Sequence, residues 1–180
     1  MVLFHRLKRK DGFSIGELLV ATLIMLMVSS VVAGGIPVAR DAYIKVTVGA
    51  NSQVLLSTAI TALRNELGTA SEIEVSGSTV EYTSMKTGDR TRIYLNGTEG
   101  IRIHEYMSFP SDDTIKTDRQ LVIPSSATKD LYVTYRSVDA PDSDGVMVFY
   151  DLKVKKTGDG DSDPGRAELS ELKIRVFRES

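Results

Sequence analysis

The sequence predicts an α+β fold: a long N-terminal helix, apolar in its first half and amphipathic in its second, packed on a C-terminal antiparallel β-sheet domain. Three observations predict it. Residues 18–39 form a run of 22 residues with no charged side chain. From Arg40 to Leu67 apolar residues recur mostly at steps of three and four, the period of one helix face. From residue 71 onward the apolar period changes to two, and turn-forming pairs punctuate the chain.

The first element is a basic leader, residues 1–12. Arg6, Lys8, Arg9 and Lys10 against Asp11 give it a net charge of +3, with His5 neutral. Basic residues ahead of an apolar run tend to stay in the cytoplasm, which puts the C-terminal bulk outside the membrane. The rest of the 180-residue chain carries −5 of the overall −2, so no basic nucleic-acid footprint is present. The second element, 13–39, contains this run. At about 1.5 Å per residue its 22 uncharged residues cover roughly 33 Å, against a hydrocarbon core of about 30 Å. Gly34, Gly35 and Pro37 weaken its far end as a helix.

The third element is the amphipathic half-helix, 40–67. Tyr43, Val46, Ala50, Val54, Leu56, Ile60, Leu63 and Leu67 are its expected core face, and Gly68 its expected cap. The strands follow over 71–178. Ile73–Val75 and Val80–Tyr82 flank Ser76-Gly77-Ser78, a tight-turn signal. Arg92–Leu95 and Ile101–His104 are separated by Asn96-Gly97 and Gly100. Residues 108–129 are turn-rich, with a short strand expected at Leu121–Ile123. Leu131–Tyr135 alternates, and Val146–Tyr150 with Leu169–Phe177 reads as a closing hairpin. The six tyrosines beyond residue 80 read as sheet-face packing. The extracytoplasmic part, 40–180, is thus one domain of ordinary size.

The search for chemistry excludes several classes. With no cysteine there is no thiol catalysis, no zinc–thiolate site and no disulfide framework. His5 and His104 are the only histidines, and no phosphate loop, nucleophile elbow or metal-spaced histidine pair occurs. The chain therefore reads as a non-enzyme with no cofactor. The loop Gly158–Gly165 sets Asp159, Asp161 and Asp163 at alternate positions, a weak calcium candidate. An EF-hand loop starting at Asp159 wants glycine where Pro164 stands and glutamate where Ser170 stands, so a solvated hairpin tip is the better reading.

One motif is specific. Gly12-Phe13-Ser14-Ile15-Gly16-Glu17-Leu18-Leu19-Val20 joins a glycine, an aromatic residue, a single acid four residues further on and an unbroken apolar run. It resembles the start of a type IV pilin or pseudopilin. The resemblance implies that a prepilin peptidase cuts between Gly12 and Phe13 and N-methylates Phe13. It also implies a filament or pseudopilus assembled through the N-terminal helix with other pilin-like subunits, a platform protein and an ATPase. The outer domain, without a cysteine loop and with its Thr58–Leu67 helix running into short strands, resembles a minor pseudopilin of the J type, in a pilus, secretion or DNA-uptake system. Pro37 lies further along the apolar run than the proline many pilins carry.

Glu17 has a physical reading beside the likeness. An unpaired acid in an apolar bundle is costly, about 2.5–3.5 kcal/mol at a membrane helix centre on insertion scales. A new ammonium at Phe13, on the same chain or a neighbour, would neutralise it and fix the register of subunits. The plainer reading is an acid at a helix N-terminus, favourable with the helix dipole. Two other processing outcomes compete. Val31-Val32-Ala33 suits a general signal peptidase, which would release a soluble β-rich domain. An uncleaved signal anchor would display the outer domain as a binding or sensor module.

Overall fold

A computed structural model describes residues 14–107, 115–123, 125–126, 128–158 and 166–176. Its first element is a continuous 53-residue helix, α1 (Ile15–Leu67), with Pro37 inside it. The chain divides into two units between Val46 and Thr47.

In the first unit every described residue up to Val46 is exposed. Alanine, leucine, methionine and valine dominate the stretch, and two of the hydroxyls that interrupt it bond back to the helix. Thr22 Oγ1 donates to the Leu19 carbonyl at 2.9 Å and Ser30 Oγ to that of Met27 at 3.0 Å. Such back-bonding satisfies a hydroxyl where no water is at hand.

The second unit begins with the last turns of α1. Ser52, Leu55, Leu56, Ala59, Leu63 and Leu67 are its buried residues. Ser52 sits in that apolar face because its Oγ donates to the Val48 carbonyl at 2.8 Å. The helix stops at Gly68, where a β-carbon would lie 2.6 Å from the Arg64 carbonyl oxygen.

Five strands then form a meander in sequence order: β1 (Ala70–Ser76), β2 (Thr79–Ser84), β3 (Arg90–Asn96), β4 (Gly100–Tyr106) and β5 (Ile115–Gln120). Every neighbouring pair is antiparallel. The β1–β2 turn uses Gly77 at φ +62°, the left-handed backbone that a two-residue hairpin loop demands. A bulge on β1 leaves Glu72 and Ile73 between the Ser71–Thr83 and Glu74–Glu81 pairs, with Glu72 itself at φ +51°.

The second sheet is built around β8 (Val146–Lys156). Strands β6 (Leu131–Thr134) and β7 (Ser137–Asp139) lie end to end on one side of it, and β9 (Ala167–Arg175) lies on the other. The buried residues of β8 are Met147 and Phe149, then Leu152 and Val154. Alternation therefore slips by one residue at Tyr150–Asp151, where Asp151 takes φ +51°. The neighbours slip at the same level: Tyr135 then Val138 on one side, Leu172 then the half-buried Leu169 on the other. Pairing register is unbroken through the slip. Both halves of the sheet can thus turn an apolar face to the same core. Arg136 spans the break, its Nε 3.0 Å from Asp151 Oδ2 and its backbone N–H donating to the Tyr150 carbonyl.

One hydrophobic cluster joins the end of α1 to both sheets, from Leu55 and Leu63 through Tyr82, Ile93 and Ile103 to Phe149 and Leu172. Tyr135 and Phe149 meet edge to face at 5.1 Å in it. The expected α+β architecture is what the chain adopts.

Three expectations need correction. Tyr43, Val46, Ala50 and Val54 were expected on the core face, but all four are exposed. A count of three- and four-residue steps accepts either of two stripes, and Val54 lies about 200° round the axis from Leu56. The strand expected at Leu121–Ile123 lies instead at Ile115–Gln120. That strand is polar and pairs at an edge through charge, so it leaves no apolar alternation to read. Strand β7 was not expected, because Ser137–Asp139 is too short to show a period.

Candidate functional site

The first turn of α1 is built by Ser14 and Glu17. Ser14 Oγ accepts the N–H of Gly16 at 3.3 Å, and Glu17 Oε2 accepts the N–H of Ser14 at 3.1 Å. This reciprocal arrangement is a capping box, the reason a Ser-x-x-Glu spacing begins a helix. It satisfies two N–H groups that would otherwise have no partner at the helix start. It also places a carboxylate at the positive end of the helix dipole.

Behind Glu17 the helix is apolar on every side. The most apolar window of α1 has a mean hydropathy of 2.3, and none of it is buried. Leu26 is 71% exposed and Val31 74%, on different faces. Such a surface is stable only in an apolar surrounding, whether lipid or other helices. By length and composition the helix can cross a membrane. Arg40, Asp41 and Lys45 then mark its polar end, with the exposed Tyr43 among them. Tyrosine and basic residues at such a boundary are suited to a membrane–water interface.

Of the residues expected to serve processing, assembly or calcium binding in a pilin-like subunit, Glu17 falls within the described residues. Gly12 and Phe13, the expected cleavage pair, lie outside them, as do Asp159, Asp161 and Asp163 of the calcium candidate. Among the described residues no group of three or more His, Asp or Glu could hold a metal ion.

The outer domain carries a polar network that sequence reasoning missed. On the solvent face of the first sheet, Glu81, Arg92, His104 and Asp118 stand directly opposite one another in turn across β2, β3, β4 and β5. Arg102 bonds both Asp118, at 2.9 Å, and Glu99. His104 Nε2 lies 3.0 Å from Asp118 Oδ1 and 2.7 Å from Tyr94 Oη. The Arg102 hydrogen bond holds the Asp118 carboxyl below its usual pKa, and His104 adds to the effect. Burial works to raise Glu81, but hydrogen bonds from Arg92 and Arg90 outweigh it and keep that carboxyl low as well. Asp118 and Tyr94 address the same ring nitrogen of His104. Both contacts tie the His104 ring to the neighbouring strands β3 and β5. The only signal in the sequence was alternation of charge along four strands whose register was unknown.

Tyr82 is the deepest polar contact of this sheet. Burial pushes its hydroxyl well above the usual range, and Glu66 reinforces the shift; the Tyr82 Oη donates to Glu66 Oε2 at 3.4 Å. Comparison with family models, with curated proteins and with solved structures gives no match.

Proposed function

We propose that the chain is a membrane-anchored structural subunit of a type IV pilus or a secretion-type pseudopilus, in a minor role. A prepilin peptidase cuts it between Gly12 and Phe13 and methylates Phe13. The trimmed helix then leaves the membrane for a bundle of like helices, driven by the platform protein and ATPase of its assembly machine. The single observation that carries this reading is the first part of the helix: apolar and exposed on every face from Leu18 to Ala39, with one carboxylate, Glu17, in its first turn.

In this reading Glu17 has two tasks that are chemically separable. Oε2 caps the helix through Ser14, and cleavage before Phe13 leaves that backbone N–H in place. The negative charge meets the ammonium of a neighbouring subunit. Glutamine can occupy the third helical position of a capping box but carries no charge. Glu17→Gln therefore keeps the cap and removes the ion pair.

The test is N-terminal sequencing and mass measurement of the protein recovered from cells. A start at methylated Phe13 supports the proposal. An intact Met1 makes it an uncleaved signal anchor, and a start at Gly34 makes it a secreted domain. Glu17→Gln should be inserted and cut normally yet assemble poorly; normal assembly would remove the charge-pairing role.

A further inference from the structure

We propose that β5 is a salt-labile strap, an edge strand that detaches from β4 as a unit while the rest of the outer domain stays folded. Among the described strands it alone has no buried side chain. Its first residue, Ile115, is 47% exposed. The hydrophobic effect therefore does almost nothing to hold it.

Beyond the backbone ladder to β4, charge holds it. Lys116 Nζ lies 2.6 Å from Asp89 Oδ2 in the loop between β2 and β3. Asp118 pairs with Arg102 and His104 on β4. Arg119 reaches inward, 2.9 Å from Glu66 at the end of α1 and 3.5 Å from Glu105 on β4. Three successive anchor points along six residues are thus ionic, each with a half-exposed partner. Ion pairs of this kind weaken as salt shortens the screening length from about 10 Å at 0.1 M to about 3 Å at 1 M.

The strap has a fixed end. Immediately after β5, Leu121 is buried and its N–H donates to the Ile101 carbonyl at 2.9 Å. Opening therefore starts at Ile115, where a register irregularity already interrupts the β4–β5 pairing, and runs toward Leu121. Segments with few buried apolar contacts open at lower free energy than the core. Release bares the backbone edge of β4, a row of unpaired N–H and C=O groups able to pair with another strand.

Amide hydrogen exchange of the full chain in an uncharged detergent tests this, at fixed pH in 0.05 M and 1 M NaCl. Peptides covering Ile115–Gln120 should exchange about fivefold faster at the higher salt, while those covering β3 and β8 change less than about twofold. Lys116→Gln combined with Arg119→Gln should exchange over β5 at low salt as fast as the parent does at 1 M, and should lose the salt response. Protection of β8 reports whether the variant is folded; if it is not, the salt comparison on the parent decides. Protection of β5 equal to β3 at both salts, salt acceleration of all peptides alike, or a folded variant that keeps the full salt response would each overturn the strap.

Discussion

Replacing Gly100 with alanine should be among the most damaging single-methyl changes in the outer domain. Gly100 opens β4 with φ 75° and ψ −141°, a region that residues with a β-carbon hardly populate. Strain of that kind costs about 1–3 kcal/mol. Space makes matters worse. A β-carbon there would sit 2.6 Å from the Val133 carbonyl oxygen, 3.2 Å from the Val133 nitrogen and 3.2 Å from the Tyr132 β-carbon. Two of these are backbone atoms of β6, so relief requires the two sheets to shift at their point of contact. Overpacking with backbone displacement costs a further ~1–3 kcal/mol. The sum, about 2–6 kcal/mol, is a large share of the ~5–15 kcal/mol by which such a domain is stable.

Gly77→Ala is the internal control. Gly77 also has positive φ, +62°, but a β-carbon there meets nothing within 4 Å. Its loss should be conformational only, about 1–2 kcal/mol. The assay is urea unfolding of the full chain in uncharged detergent, followed by tyrosine near-ultraviolet circular dichroism because the chain has no tryptophan. Should Gly100→Ala fall within about 1 kcal/mol of Gly77→Ala, the close contact between β4 and β6 does not constrain the domain and the reasoning fails.

Other outcomes can be checked alongside. Leu63→Ala removes a fully buried side chain and should cost about 2–5 kcal/mol in the same unfolding assay. Val54→Ser, on the 63%-exposed side of α1, should change stability by less than about 0.5 kcal/mol, so equal losses would restore the rejected stripe. Asp118 has its folded pKa below the usual 3.8, so its contribution is fully present above that value and is lost as pH falls below it. Asp118→Asn should therefore flatten the acid limb of a stability–pH profile below about pH 4 and leave the neutral region nearly level. On the proposed function, Glu17→Gln should retain membrane insertion and helix content but lower the sheared-filament yield, read by fractionation.

Local chemistry was legible wherever one segment determined its own fate. The uncharged run after Glu17, the Gly68 helix end, the Gly77 hairpin and the alternation of Val80–Tyr82 or Ile101–Ile103 need no partner to be recognised. They express composition, capping and period, all encoded in neighbouring residues. What failed to show were properties set between segments. Which of two helical stripes is buried depends on the sheets that cover it, so Val54 was placed on the core face and the buried Leu55 was passed over. Strand β5 shows no apolar alternation because its stability comes from Arg102, Glu66 and Asp89, each remote in sequence. The slip at Asp151 lies on one strand, yet it makes sense only beside matching slips at Tyr135 and Leu172. Sequence thus determined that a greasy helix begins just behind a single acid and leads into a β-rich domain. Tertiary structure decided which faces meet, because burial and ion pairing over long separations are satisfied jointly and no residue specifies them alone.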